Sequence, residues 1–190
     1  MAMKLILLRH GKTEEEQRGI ILGNLPGTLS AKGREEAVKI AGLIKAADLR
    51  PETILASDLA RAADYAAIIG RELDLDVELE PLMRERGAGV VEGKNPDEID
   101  WEEYEKVPKP LRKHPGGESF EDVRSRAKEF LKKIRPLPFH TVILVSHSVF
   151  LAMITVEICG WTLEKALAYN FRDPLIVDMD KKGAEEIPPR

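Results

Sequence analysis

The N-terminal residues contain the pattern that most restricts the possible folds of this chain. Four consecutive aliphatic residues, 5–8, are followed at once by Arg9, His10 and Gly11. A run of this length is too short for a helix and fits a strand that is buried on both faces of a sheet. In open α/β sheets, ligands bind beyond the carboxyl ends of such strands. We therefore expect Arg9 and His10 to lie at a ligand site.

Further apolar runs alternate with helical patterns along the chain. We predict strands at residues 53–56, 75–79, 141–145 and 174–179. We predict helices that follow Ser30, that cover residues 59–70, that follow Ser119, and that cover residues 149–159. Such alternation leads to right-handed crossovers and parallel strands. The predicted fold class is therefore α/β, a three-layer α/β/α sandwich with a mostly parallel central sheet, helices on both faces and an antiparallel edge strand.

The length of the chain fits one domain, so we predict that residues 1–190 form a single domain. Residues 14–28 are polar and rich in glycine, which is typical of a loop, here one that covers or borders the site. Residues 94–115 are charged and interrupted by prolines, and we interpret them as a short excursion over the site. Residues 181–190 are polar and are expected to fray.

The composition limits the classes of partner. The formal net charge of −4 gives no reason to expect nucleic acid or an anionic membrane as a partner. The apolar stretch 142–161 is interrupted by His147 and Glu157, so we interpret it as a strand followed by a helix and not as a membrane span. The single Cys159 excludes an internal disulfide, and no signal-peptide pattern is evident, so we expect a cytoplasmic protein. The sequence predicts no particular oligomeric state.

Amide side chains are rare in this sequence. The asparagines and glutamines are Asn24, Asn95, Asn170 and Gln17. Together with a charged fraction of 33%, this scarcity indicates a thermophilic source. We expect calorimetry to give a melting midpoint above the usual mesophile range of about 45–65 °C, and a midpoint within that range would contradict the hypothesis.

Five stretches of the sequence match, in order, the motifs of one known family. They are Arg9-His10-Gly11-x-Thr13, residues 57–62 (SDLARA), Glu85 followed by Glu92-Gly93, residues 115–119 (PGGES) and residues 145–147 (VSH). Together they extend through most of the chain. In this combination the sequence resembles the histidine phosphatase (phosphoglycerate mutase-like) superfamily.

The resemblance implies a role for each residue that matches a motif. His10 would be the nucleophile and become phosphorylated, while Arg9 and Arg61 would bind the phosphate. His147 would help to hold the transferred phosphoryl group. Glu85 would be the general acid, although Glu92 is close enough in sequence to be confused with it. Taken alone, either histidine could be structural and Arg61 could lie on the surface of a helix.

Three further residues are candidates for contact with the substrate. They are Thr13, Ser148 and His114. No cysteine or histidine cluster has the spacing of metal ligands, so we expect neither a metal site nor a cofactor. The expected partner is a small phosphorylated molecule.

The sequence also departs from the family pattern. Glu16 stands where the family usually has an asparagine that contacts the phosphate, Ser148 follows the second histidine where glycine is common, and Ala152 stands near the usual position of an arginine. A carboxylate close to a bound phosphate would repel it. Glu16 must therefore turn away, meet a cation on the substrate or pair with a cation of the protein, and we favour a local pair with Lys12 or Arg18.

The resemblance leaves three functions open. The first is a phosphomonoesterase that acts through phosphohistidine on His10. The second is a cofactor-dependent phosphoglycerate mutase, but such enzymes carry a longer insertion than the short segment between Gly93 and Pro115. The third is a non-catalytic phosphate-binding protein, although the four core residues Arg9, His10, Arg61 and His147 are all present. We favour the phosphomonoesterase, whose particular substrate the fold does not specify.

Overall fold

The computed structural model of the chain describes residues 3–181 and 183–186. The first strand, β1 (Lys4–Arg9), is an interior strand of the sheet. Its four aliphatic residues are fully buried. Leu5 and Leu7 join one hydrophobic cluster, and Ile6 and Leu8 join the other. Because successive side chains of a strand point to opposite faces, β1 supplies both halves of the core. The prediction of a buried strand is confirmed.

Five further strands complete the sheet within the described residues. They are β2 (Thr53–Ala56), β3 (Val77–Leu79), β4 (Thr141–Ser146), β5 (Leu175–Asp178) and β6 (Ala184–Glu186). The spatial order is β3-β2-β4-β1-β5-β6. The strands from β3 to β1 run parallel, whereas β5 runs antiparallel to β1 and β6 antiparallel to β5. The sheet is therefore mostly parallel with an antiparallel end, as predicted.

Helices cover both faces of this sheet. In the described residues they are α1 (Glu14–Gln17), α2 (Ala31–Ala46), α3 (Ala60–Leu73), α4 (Glu102–Glu105), α5 (Phe120–Ile134), α6 (Ser148–Cys159) and α7 (Leu163–Ala168). The cluster that holds Ile6 and Leu8 packs against α2 and α3, and the opposite cluster packs against α5, α6 and α7. The predicted three-layer α/β/α arrangement is confirmed. Across residues 3–181 and 183–186, every helix falls short of the length and apolar character that crossing a bilayer requires.

The predicted caps of two helices are present. Ser30 accepts the backbone N–H of Gly33 at the start of α2. At the start of α5, the Ser119 hydroxyl accepts the backbone N–H of Asp122, and the Asp122 carboxylate accepts the backbone N–H of Ser119. This reciprocal capping box satisfies two N–H groups that the helix itself cannot pair.

Several elements differ from the prediction. The segment 14–28 is not entirely loop, because α1 forms behind Thr13, which caps it together with Glu16. The helix α3 does not stop at Gly70 but continues to Leu73. A Cβ on Gly70 would lie 2.8 Å from the carbonyl oxygen of Leu75, so this glycine permits close packing and does not mark a helix end.

The expectation of a frayed tail is wrong for the residues of β6. These residues pair with β5, so that β6 and not β5 forms the edge of the sheet. The polar composition of this segment concealed the strand, because an edge strand needs few apolar side chains. Residues 182 and 187–190 of the predicted tail lie outside the described residues. Residues 94–115 contain α4 and two 3-10 turns, Pro96–Glu98 and Lys109–Leu111.

The strand register brings polar residues together at one edge of the sheet. Arg9 lies opposite Ser146, and Ala56 lies opposite Val145. The residues that follow these three parallel strands, His10, Ser57 and His147, therefore emerge side by side. This is the carboxyl edge at which α/β sheets bind ligands.

Candidate active site

His10 is fixed immediately beyond the end of β1. Its backbone N–H donates to the carbonyl of Ser146, at 3.0 Å, and its imidazole is buried with only 3% of its surface exposed. The ring Nδ1 lies 2.7 Å from the carbonyl oxygen of Gly11. A carbonyl can only accept, so Nδ1 carries the proton and the neutral ring has its lone pair on Nε2.

The surroundings of His10 favour its neutral form. Burial lowers the pKa of His10 well below its ordinary value, and the positive charges of Arg61 and Arg9 lower the pKa further. The Gly11 carbonyl acts in the opposite direction but does not reverse the shift. An imidazole is neutral above its pKa, so His10 has a lone pair on Nε2 at neutral pH and can act as a nucleophile.

His147 faces His10 from the end of β4. The two ring centroids are 5.1 Å apart and the rings are inclined at 61°. The Nε2 atom of His147 lies 2.8 Å from the Ser57 hydroxyl oxygen, whereas its buried Nδ1 has no partner among the described residues. Burial, His10 and Arg61 together lower the pKa of His147 well below its ordinary value.

Arg61 lies in the first turn of α3 with 2% of its surface exposed. Its Nε donates to His10 Nε2 at 3.2 Å. The remaining guanidinium nitrogens donate to backbone carbonyls of the loop before α2: to Gly23 at 2.8 Å, to Pro26 at 3.2 Å and to Leu25. Arg61 is therefore a buried cation in contact with the nucleophile candidate and not a solvated surface residue.

Arg9 extends from the last position of β1 beside the same histidines. Its Nη2 forms an ion pair with Glu16, and its buried Nε has no partner among the described residues. A buried donor without a partner is costly. Arg9 Nε and His147 Nδ1, which belong to residues on either side of His10 in the site, are thus two buried polar atoms without partners among the described residues.

Glu85 lies at the N-terminus of α6, next to His147 in the site. Its Oε1 accepts the backbone N–H of Val149 at 3.1 Å and that of Arg86 at 2.8 Å. Glu92 occupies a different place, where its Oε1 accepts the backbone N–H groups of Asn24 and Ala88, each at 2.9 Å. Glu92 thus ties two loops together, and of the two carboxylates only Glu85 contacts the helix that begins beside His147.

The Gly-Gly-Glu-Ser stretch supports the loop that carries Glu85. Glu118 accepts two hydrogen bonds from the Arg126 guanidinium, at 3.0 and 2.8 Å, and one from the Gly87 backbone N–H at 2.8 Å. Arg126 in turn donates to the carbonyl of Glu85 at 3.2 Å. This ion pair therefore holds the backbone of residues 85–87 in position.

The three further substrate candidates are placed less directly. The Thr13 hydroxyl accepts the Glu16 backbone N–H at 3.1 Å and so caps α1. Ser148 is the first residue of α6 and follows His147. His114 stacks on Tyr104, with centroids 4.5 Å apart, and meets Trp101 edge to face at 5.6 Å. His114 thus belongs to an aromatic cluster of the segment 94–115.

The structure adds two residues to which the sequence analysis assigned no role, and it corrects the expected partner of Glu16. Glu16 does pair with cations of the protein, but these are Arg9 and Arg172 and not Lys12 or Arg18. Arg172 reaches the site because the backbone N–H of Arg9 donates to the carbonyl of Phe171. The other addition is Ser57, whose polar side chain directly after a buried strand was the available signal.

Comparison with known proteins places the chain in a family. The model of the histidine phosphatase superfamily (branch 1) matches residues 5–178. "Probable phosphoglycerate mutase GpmB" of Escherichia coli O1:K1 is 31% identical over 165 residues, which is 83% of this chain and 75% of the relative. The same-named protein of Escherichia fergusonii is 32% identical over the same shares.

Solved structures agree on the fold. The alpha-ribazole phosphatase from Shigella flexneri superposes with a TM-score of 0.84 at 23% identity, covering 97% of this chain and 94% of the other. A mycobacterial glucosyl-3-phosphoglycerate phosphatase with VO3 gives 0.80 at 22% identity, covering 97% of each chain. Bacillus stearothermophilus YhfR gives 0.84 at 25% identity, covering 97% and 95%. The chain belongs to the histidine phosphatase superfamily.

Proposed function

We propose that this protein is a phosphomonoesterase that hydrolyses a small phosphorylated metabolite through a phosphohistidine on His10. The observation that carries the proposal is the environment of the His10 ring. This neutral, buried imidazole has its lone pair on Nε2, touches the Arg61 guanidinium and lies beside Arg9 and His147, whose Nε and Nδ1 atoms have no partners among the described residues. A phosphoryl group would satisfy both atoms and would lie within reach of Nε2.

In the first half-reaction, His10 Nε2 attacks the phosphorus atom and the bond between phosphorus and the ester oxygen breaks. As the substrate enters, the Arg61 Nε–H changes its hydrogen-bond acceptor from His10 Nε2 to a phosphoryl oxygen while keeping its proton, which frees the attacking lone pair. Arg61 and Arg9 then offset the charge of the equatorial oxygens. Glu85, in its acid form, donates a proton to the departing oxygen, and the alcohol leaves.

In the second half-reaction, water attacks phosphorus and the bond to His10 Nε2 breaks. Glu85, now a carboxylate, takes a proton from the attacking water. While His10 carries the phosphoryl group its ring is positively charged, and the Nδ1–H donates to the Gly11 carbonyl at 2.7 Å. Inorganic phosphate leaves, and the neutral imidazole is restored.

The Ser57 hydroxyl sets the orientation of the second histidine. Its Oγ accepts the backbone N–H of Leu59 at 3.3 Å, so its own proton is available to His147 Nε2 at 2.8 Å. With Nε2 as an acceptor, the neutral His147 ring carries its proton on Nδ1. That proton is the donor we assign to the phosphoryl group.

This assignment predicts the effect of Ser57→Ala. Without the hydroxyl, the Nδ1–H tautomer of His147 is no longer enforced, and we expect kcat to fall about tenfold with little change in KM, as is typical for residues that orient a reacting group. Steady-state kinetics on p-nitrophenyl phosphate measure both constants, with Ser57→Thr as the hydroxyl-retaining control. An unchanged kcat in Ser57→Ala would show that this hydroxyl does not set the tautomer.

Phosphoglycerate mutase activity is the second candidate, because the relatives that are 31–32% identical bear that name. A mutase would return the phosphoryl group from His10 to a second hydroxyl and not to water. A turnover screen over small phosphorylated metabolites, with 3-phosphoglycerate and its bisphosphate primer included, separates the two activities. We expect hydrolysis to exceed mutase turnover, and the reverse would make the protein a mutase. The absence of both would leave the non-catalytic phosphate-binding protein.

The proposal also covers the location of the protein, its class of substrate and the recognition of the leaving group. We propose that the protein acts in the cytoplasm on a small molecule and not on nucleic acid or a membrane. We also propose that residues 94–115 contribute to the recognition of the leaving group. The support for this is the Arg86 guanidinium, which follows Glu85 in sequence and donates to the Tyr104 hydroxyl at 3.2 Å.

A further inference from the structure

Four charged side chains form a chain of ion pairs beside the nucleophile, which we call the rim network. It consists of Arg9, Glu16, Arg172 and Glu36. Glu16 accepts from Arg9 Nη2 and from Arg172 Nη2, the latter at 3.1 Å. Arg172 Nη1 lies 3.3 Å from Glu36. The positive and negative charges alternate along the network and balance.

Glu16 is held in this network by backbone groups as well as by its ion pairs. It occupies the third position of α1, where its own N–H donates to the Thr13 hydroxyl and its carboxylate accepts the Thr13 backbone N–H. The capping box therefore keeps the carboxylate beside Arg9. Glu16 is the carboxylate of the rim network that contacts Arg9, so it would repel a phosphate bound there.

Arg172 is placed where it offsets that repulsion. The backbone bond from Arg9 to Phe171, at 2.8 Å, fixes the adjoining segment at the end of β1. The Arg172 side chain then bridges Glu16 and Glu36, and Glu36 is held in turn by the Lys12 backbone N–H at 3.0 Å. Each of the paired side chains is about one-quarter exposed, so solvent screens these charges only in part.

We propose that Arg172 is a positioning residue for phosphate binding, which neutralises Glu16 and so keeps Arg9 effective as a phosphate ligand. This inference rests on the proposed function, because it requires that Arg9 binds a phosphoryl group. Glu16 fixes the Arg9 guanidinium through Nη2 and leaves the buried Nε without a partner among the described residues. Arg172 removes the electrostatic penalty of using a carboxylate for that purpose.

Replacement of Arg172 tests the proposal. In Arg172→Met, Glu16 and Glu36 lose their shared cation, and we expect KM for p-nitrophenyl phosphate and the inhibition constant of inorganic phosphate each to rise about tenfold, which corresponds to about 1.4 kcal/mol. We expect kcat to stay within about threefold, because the charge affects bound phosphate in both the ground state and the transition state. Arg172→Lys keeps the positive charge but lacks the planar guanidinium with its two parallel donors. Its KM and inhibition constant should lie between those of the wild type and of Arg172→Met.

The decisive variant adds Glu16→Gln to Arg172→Met. Glutamine keeps the shape and an acceptor oxygen but removes the charge, so both constants should return to within about twofold of the wild-type values. Glu16→Gln alone should lower KM by less than it does in the Arg172→Met background, and this non-additivity measures the coupling. A purely structural role of Arg172 predicts no such rescue.

Arg124→Met is the matched control, because Arg124 also pairs with a half-buried glutamate, Glu157, but lies outside the rim network. It should leave both constants unchanged. If wild-type protein hydrolyses phosphomonoesters and Arg172→Met binds phosphate equally well, or is not rescued by Glu16→Gln, the inference is wrong and the proposed function stands. If wild-type protein neither hydrolyses phosphomonoesters nor binds inorganic phosphate in calorimetry, the proposed function fails and this inference fails with it.

Discussion

His10→Ala is expected to reduce phosphatase turnover by about a thousandfold or more, because the variant lacks the atom that forms the covalent intermediate. Wild-type protein that is mixed with a labelled phosphomonoester and quenched without acid should carry a labelled adduct. Phosphohistidine contains a P–N bond, so the adduct should survive alkali and be lost in acid. The His10→Ala protein should carry no adduct.

Two further variants make this result specific. His10→Asn keeps a polar side chain in the buried site and should be equally inactive, which separates loss of the nucleophile from loss of the fold. His140→Ala removes an exposed histidine that precedes β4, and it should retain full turnover and the adduct. An adduct on any residue other than His10, or substantial turnover in a folded His10→Ala protein, would rule out the proposed intermediate.

The fold was predictable wherever local pattern and burial agree. The run 5–8 is apolar at every position and too short for a helix, which fits a strand whose alternating side chains join both hydrophobic clusters, as those of β1 do. The helix caps Ser30 and Ser119 were equally predictable, because each hydroxyl accepts a hydrogen bond from a backbone N–H only three residues away. In contrast, β6 has exposed glutamates and forms through its pairing with β5. Its sequence therefore lacks the alternation of apolar residues from which a strand is predicted.

The site residues that immediately follow strands were predictable from the sequence. The residues that reach the site from distant parts of the sequence were less so. His10 and His147 follow adjacent parallel strands, so sheet geometry alone brings their rings together. Arg172 reaches Glu16 only because β5 runs back along β1, and the pair is separated by 156 residues. Lys12 and Arg18 are the expected partners of Glu16 on sequence distance, but the structure pairs Glu16 with Arg9 and with Arg172, which immediately precedes the β5 region.

Glu85→Gln is expected to slow the hydrolysis of alkyl phosphates by about a hundredfold or more while largely sparing p-nitrophenyl phosphate. An alkoxide is a poor leaving group and needs the proton that Glu85 donates, whereas p-nitrophenolate leaves without one. Glutamine preserves the oxygen that accepts the Val149 and Arg86 N–H groups, so the loop geometry should persist. The measurement is the ratio of kcat/KM values on the two substrates in each protein.

Glu92→Gln distinguishes proton donation from loop support. Glu92 accepts the Asn24 and Ala88 backbone N–H groups and therefore connects two loops around the site. Any loss in this variant should be the same for both substrates, because a displaced loop does not discriminate between leaving groups. Equal losses on both substrates in Glu85→Gln would assign Glu85 the same supporting role at the start of α6. A selective loss in Glu92→Gln would instead make Glu92 the proton donor, since only a residue that protonates the leaving oxygen can make the rate depend on how readily that oxygen departs.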